Sequence, residues 1–348
     1  MKFSNKKKAQ SAIQILARLL ILPFSCLLLI SFFLLCNCLG NTSSQKKIEK
    51  PIDMTYSMGY NIAQLEDSEE NELIRYGYEL FQNTSKYIGP GNDKKNNVYA
   101  GNNLSCNNCH LWSGTKAYAA PLVGIIKRFP QFRGRENKIG TIEERVNGCM
   151  ERSMNGKIIP PDGKEMSGLL AYMSWLSRDI PEGGKVFGQG FVKINIPDRA
   201  VNLDKGKTVF EARCIVCHGE EGKGVLSNDG YSYEYPPLWG EDSYNDGAGM
   251  TRVITSARFI KGNMPYGATY ENPILTDEEA YDVAGFINSQ KRPTKRNRER
   301  DFPDLKKKPV STPYPPFADT FSIRQHQFGP FLPIMEYYKS EYNIVKSK

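Results

Sequence analysis

Residues 106–110 read Cys-Asn-Asn-Cys-His, and residues 214–218 read Cys-Ile-Val-Cys-His. Two thiols followed at once by a histidine form C-x-x-C-H, the pattern by which a c-type heme is attached to a chain. The thiols add across the heme vinyl groups, and the short helical turn between them aims the histidine at the iron. Zinc would need four donors per site, and a redox dithiol would sit beside a βαβ pattern. Neither feature is visible around either motif. The spacing therefore predicts two covalently bound heme c groups, one on Cys106, Cys109 and His110, the other on Cys214, Cys217 and His218.

The flanking sequence repeats as well. From Glu69 to Phe81 an amphipathic pattern (Leu73, Ile74, Tyr76, Leu80, Phe81) predicts a helix. Its ending, Gly77-Tyr78-Glu79-Leu80-Phe81, is echoed by Gly206-Lys207-Thr208-Val209-Phe210, and each copy leads into a heme motif. The first copy carries a polar insertion around 85–103. A strongly apolar helix is predicted over Met166–Ser177, and a second over Thr276–Ser289, where Thr276 and Glu279 form a capping box. A glycine-bearing helix before the motif and a closing helix after the loops resemble cytochrome c folds, in which the glycine permits close packing of the two. The expected fold is all-α and loop-rich: two cytochrome c-like domains in tandem, with an extended C-terminal tail. The first domain covers 69–180 and the second 201–291, joined by a Gly- and Pro-rich linker at 181–200. The basic, Pro-rich tail covers 292–348.

At 348 residues the chain can bury two cores of ordinary size. Its formal charge of +8 is unevenly placed: Lys2, Lys6, Lys7, Lys8 and Arg18 precede any acid, and the tail is strongly basic. The body between is mildly acidic, which excludes a globally basic nucleic-acid binder. The lysine-rich start, the apolar run Leu19–Leu35 and then Cys36-Asn37-Cys38 read as an export signal. The ending resembles a relaxed lipoprotein cleavage box with Cys38 as the lipidated residue. A plain cleaved signal and a retained anchor are the alternatives, the run being about long enough to span a bilayer. All three place the body on the periplasmic side, with 1–38 as signal or lipoprotein peptide and 39–68 as tether.

Heme potential depends on the second axial ligand. With three histidines in the chain, two of them proximal and His326 in the tail, bis-histidine ligation at both sites is impossible within one chain. His326 is expected to be a surface residue. For the second heme, Met264 in Gly262-Asn263-Met264-Pro265 stands in the usual methionine-ligand position, with Met250 and Met335 as weaker candidates. For the first heme the corresponding window holds Cys149, Met150 and Met154. Cys149 is left over once the signal region and heme motifs are counted, and a lone cysteine in an oxidising compartment needs a reason. Basic residues crowd it: Arg133, Arg135, Arg145 and Arg152. Guanidinium forks suit oxyanions and favour a thiolate, so the cluster suggests a heme-side site for a small sulfur oxyanion.

The paired motifs together with Arg145–Gly156, RVNGCMERSMNG, resemble the diheme thiosulfate dehydrogenases, which can also run as tetrathionate reductases. The likeness spans about Glu69 to Gln290. It implies Cys149 as the axial ligand opposite His110, Arg135, Arg145 and Ser153 as substrate contacts, and Met264 opposite His218. Some members carry a lysine before that methionine and exchange ligands; Asn263 stands there in this chain, so stable His218/Met264 ligation is expected. The implied reaction couples two thiosulfates into tetrathionate, or reverses it, with electrons passing to a small soluble cytochrome or other periplasmic carrier. A relay cytochrome without sulfur chemistry and the cytochrome subunit of a sulfur-oxidising complex are the rival readings. A diheme peroxidase would need histidines this chain lacks.

Overall fold

The computed structural model describes residues 59–92 and 97–347. The signal and lipidation reading of 1–38, and the tether as far as 58, lie outside the described residues. Among the described residues no helix is long and apolar enough to cross a membrane.

Helix α1 (Glu69–Gln82) starts where Ser68 accepts a hydrogen bond from the Asn71 backbone, and three acids in its first turn complement the helix dipole. It buries Ile74, Leu80 and Phe81. Helix α2 (Ile142–Met150) begins at a capping box formed by Thr141 and Glu144. Helix α3 (Lys164–Trp175) closes the first half by crossing α1. A Cβ on Gly77 would stand 1.9 Å from the Gly168 carbonyl oxygen, so only glycine lets these backbones meet. The second half repeats the joint. Helix α4 (Leu203–Arg213) meets α6 (Asp277–Ser289) at Gly206, where a Cβ would lie 2.2 Å from the Asp282 carbonyl oxygen. Between them α5 (Val253–Asn263) ends just before Met264.

Two features were absent from the periodicity. Short antiparallel hairpins occur at β1–β2 (Gln131–Arg133 with Lys138–Gly140) and β3–β4 (Val225–Leu226 with Tyr233–Tyr235). The last residues of the expected tether also pack down: Tyr60 meets Trp175 edge-on at 5.4 Å, and Arg178 stacks over its ring at 4.5 Å.

The tail runs as a strap with 3-10 turns at Arg298–Arg300 and Leu305–Lys307 to about residue 322 and then forms α7 (Ile323–Phe328) and α8 (Leu332–Tyr342), where an extended basic, Pro-rich tail was expected. Phe331, Ile334 and Tyr338 complete the core of the second half. His326 is the correction to the expected surface residue. It is 1% exposed and stacks on Phe317 at 3.6 Å. Its Nδ1 bonds the Val310 carbonyl at 2.7 Å and its Nε2 bonds Asp319 at 2.9 Å. The two halves are pinned by buried polar contacts: Asn245 donates to the Glu151 carbonyl at 2.8 Å, and Asn102 to the Ser243 carbonyl at 3.1 Å.

Candidate active site

Each C-x-x-C-H stretch borders an apolar cleft. In the first half, Cys106, Cys109 and His110 face Phe81, Leu122 and Leu169 across a space of about 240 Å³. The His110 Nδ1 lies 2.7 Å from the Ala120 carbonyl oxygen, which fixes the ring and reserves Nε2 for an iron. The second half does the same: His218 Nδ1 lies 2.7 Å from the Pro236 carbonyl oxygen, beside a larger apolar cleft that also holds Cys214, Cys217 and Met264. A flat apolar macrocycle with a metal centre fits both clefts.

Among the methionine candidates, Met264 and Met250 both border the second cleft, whereas Met335 packs in the second core from α8. In the first cleft Cys149, Met150 and Met154 are all wall residues. Cys149 differs in bordering a second space too, a polar chamber of about 410 Å³. Met150 and Met154 are buried in the first core and do not border that chamber.

Helix α2 places Arg145 and Cys149 one turn apart on one face, and Arg145 Nη1 donates to the Cys149 sulfur at 2.7 Å. Burial alone would raise this thiol. The Arg145 guanidinium, the His110 ring and Arg152 outweigh it and bring the pKa down to about 6 from 9. At neutral pH Cys149 is a thiolate.

The chamber brings together Cys149, Ser153, Arg135 and Arg145, the residues singled out from sequence. Arg133 and Arg152 of the same basic cluster line it too, and it adds Arg252 and Lys307, which local spacing had not joined to them, against a single lining carboxylate, Glu136. Glu136 is shared: Arg133 Nε donates to it at 2.9 Å, and Arg152 stands 3.6 Å away. Burial and the nearby Arg135 push Arg152 down to about 10. Arg252 falls further, to about 9, through burial and then the repulsion of Arg135, Arg152 and Arg145. Arg135 is held by the tail. Its Nη1 bonds the Asp301 carboxylate and, at 3.2 Å, the Tyr314 hydroxyl, while its guanidinium stacks on Phe302 at 4.8 Å. A site so short of negative charge is built for anions.

The SoxA/TsdA cytochrome c domain model matches residues 91–181, and the cytochrome c model matches 203–291. The chain is 42% identical to the thiosulfate dehydrogenase of Psychrobacter arcticus over 240 residues, covering 68% of this chain and 69% of that protein. It is 45% identical to the thiosulfate dehydrogenase of Allochromatium vinosum over 199 residues, 56% of this chain and 72% of that one. A solved thiosulfate dehydrogenase (TsdBA) of Marichromatium purpuratum, in its as-isolated form, shares 33% identity and a TM-score of 0.62. That match covers 68% of this chain and 50% of the solved one, so this chain spans about half its length. The two cytochrome c domains carry two covalently bound heme c groups.

Proposed function

Because this chain belongs to the thiosulfate dehydrogenase family, we propose that it joins two thiosulfate dianions into tetrathionate, or runs the reverse reduction, beside Cys149. The observation that carries this reading is the position of Cys149, a thiolate bordering both the first heme cleft and the cationic chamber. His110 and Cys149 would hold the first heme, and His218 and Met264 the second. When bound, each heme supplies a one-electron acceptor.

The chain's own residues would act in two stages. The Cys149 thiolate bonds the sulfane sulfur of one thiosulfate, giving a Cys–S–S–sulfonate with loss of two electrons. A second thiosulfate then attacks the sulfane sulfur of that adduct, releasing tetrathionate and restoring the thiolate, as in thiol–disulfide exchange. Arg145 and Arg135 offset the dianion charge, and Ser153 donates to a sulfonate oxygen. The chamber's excess of cations gives dianions a place to gather; a relay cytochrome would have no use for it.

Cys109 and Met250 border both the second heme cleft and the chamber, which supports a short path between the halves. Trp112, Val216 and Tyr266 form an exposed apolar rim to the second cleft, suited to a small soluble electron carrier. The N-terminal pattern supports a periplasmic position with Cys38 as lipid anchor; labelled fatty acid retained by a Cys38→Ser variant would overturn the anchor.

Thiosulfate-dependent ferricyanide reduction by the heme-loaded protein, with tetrathionate quantified, tests the function. Two thiosulfates should disappear per tetrathionate. Cys149→Gly should abolish turnover with both hemes still attached. No turnover in either direction would sink the reading.

A further inference from the structure

Coupling two thiosulfates requires a second dianion to bind while the first is held as the Cys149 adduct, so two sulfonates share the chamber, and Arg135, Arg145 and Ser153 account for only one of them. We propose that Arg252, Arg152 and the N-terminus of α5 form a second sulfonate subsite, contributed largely by the second domain, for the incoming thiosulfate and for the distal end of tetrathionate. The proposal rests on the functional reading above.

Three observations converge on this wall. Arg252 borders the chamber, and among the described residues no carboxylate pairs with it; its Nε donates to the Gly249 carbonyl at 3.3 Å. A guanidinium kept close to Arg135, Arg152 and Arg145 without a counterion is held against their repulsion, a cost that a bound dianion would remove. Arg252 is also the N-cap residue of α5, whose first turn has neither a side-chain cap nor an acid. An uncapped eleven-residue helix presents unsatisfied backbone N–H groups and the positive end of its dipole. Finally, Thr255, in that first turn and on the same chamber wall, is 6% exposed, and its hydroxyl has no hydrogen-bond partner. A buried hydroxyl is rarely left in that state without a missing ligand.

Arg152 supplies the bridge between subsites. It is 7% exposed, its closest acid is the shared Glu136, and its backbone carbonyl accepts from Asn245 of the second half at 3.1 Å. The two subsites thus face one chamber, the first built by the first domain together with Cys149, the second by Arg252 and α5 of the second domain with Arg152 reaching across. Tetrathionate carries a sulfonate at each end and is the ligand that matches two cationic poles.

The test is calorimetric titration of the oxidised, heme-loaded protein with tetrathionate, comparing wild type with Arg252→Gln. Losing a charge-assisted contact should weaken tetrathionate binding about tenfold or more. Arg252→Lys, which keeps the charge without the planar fork, should bind with intermediate affinity, and it keeps the experiment readable if the Gln variant misfolds. Binding by Arg252→Gln within twofold of wild type overturns the subsite while leaving the enzyme reading intact. A shift of heme potential with tetrathionate affinity unchanged also overturns it, because Arg252 would then serve a heme propionate. If wild type binds no tetrathionate, the functional reading fails first and the subsite with it.

Discussion

Replacing Asp301 by asparagine tests whether the tail belongs to the chamber. The Asp301 carboxylate accepts from Arg135, from the Tyr314 hydroxyl at 2.9 Å, and lies 3.6 Å from Lys295. The Arg135 and Asp301 side chains are only 12% and 8% exposed, so solvent does little to screen the pair. An amide keeps the shape but leaves Arg135 and Lys295 without their anion, close to Arg152. Removing one partner of a buried pair costs roughly 3–5 kcal/mol, much of it from the stranded charge. Urea unfolding of the heme-loaded protein measures it. Arg135→Gln and the double variant complete a cycle in which the double loss should be clearly smaller than the sum. The sign with pH also follows. Asp301 is held below the usual carboxylate range because, although burial raises it, Arg135 and Lys295 lower it more. Its contribution is therefore complete above the ordinary carboxylate pKa of about 3.9 and is lost as pH falls below that through the folded value. The gap between wild type and Asp301→Asn should be constant from about pH 5 to 8 and close in acid. A variant within about 1 kcal/mol of wild type at pH 7, or an additive cycle, would refute the reasoning.

Three further outcomes are expected. In Arg145→Gln the strongest influence lowering Cys149 is gone while burial still raises it, so the acid limb of kcat should move upward from about 6 and activity at neutral pH should fall; a limb that stays near 6 would show that Arg145 does not set the thiolate. Gly206→Ala forces a Cβ to within 2.2 Å of the Asp282 carbonyl, and should destabilise the second half by about 1–3 kcal/mol in denaturant melts; an unchanged midpoint would contradict the glycine joint. Tyr266→Asp, at a position 91% exposed on the rim of the second cleft, should slow reduction of a soluble cytochrome while ferricyanide reduction persists, and equal rates for both acceptors would remove the rim as a docking face.

Sequence read most clearly where the physics is local. The two heme motifs, the Gly77 and Gly206 joints and the Thr276–Glu279 capping box are each encoded within a few residues, and the structure has them. Arg145 and Cys149 meet because four residues make one helical turn. Arg252 was invisible because nothing near it in the chain marks it; it reaches the chamber only when α5 of the second half is packed against the first. His326 misled for a similar reason. Its burial depends on Val310, Phe317 and Asp319, and a basic, Pro-rich stretch with little periodicity gives no sign that it will fold back on a core. The joining of Arg135 to Asp301 spans 166 residues and has no local signature at all.

That same separation orders events during synthesis. Whether it leaves a ribosome or crosses a membrane, a chain appears from its N-terminus, and domains fold in that order as they emerge. Arg135 and Arg145 therefore exist, with both of their neighbouring heme thiols, long before Arg252 and the tail that supplies Asp301 and Lys307. Until those arrive the anion chamber lacks the wall that Arg252, Thr255, Phe302 and Lys307 give it, and Arg135 lacks its acid partner. Heme can be attached to a half-built molecule, whereas the anion chamber is finished only when the strap is laid down. Competence to hold substrate is the last property this chain acquires, and a product cut short at residue 300 would keep both heme motifs yet lack the wall that steadies Arg135.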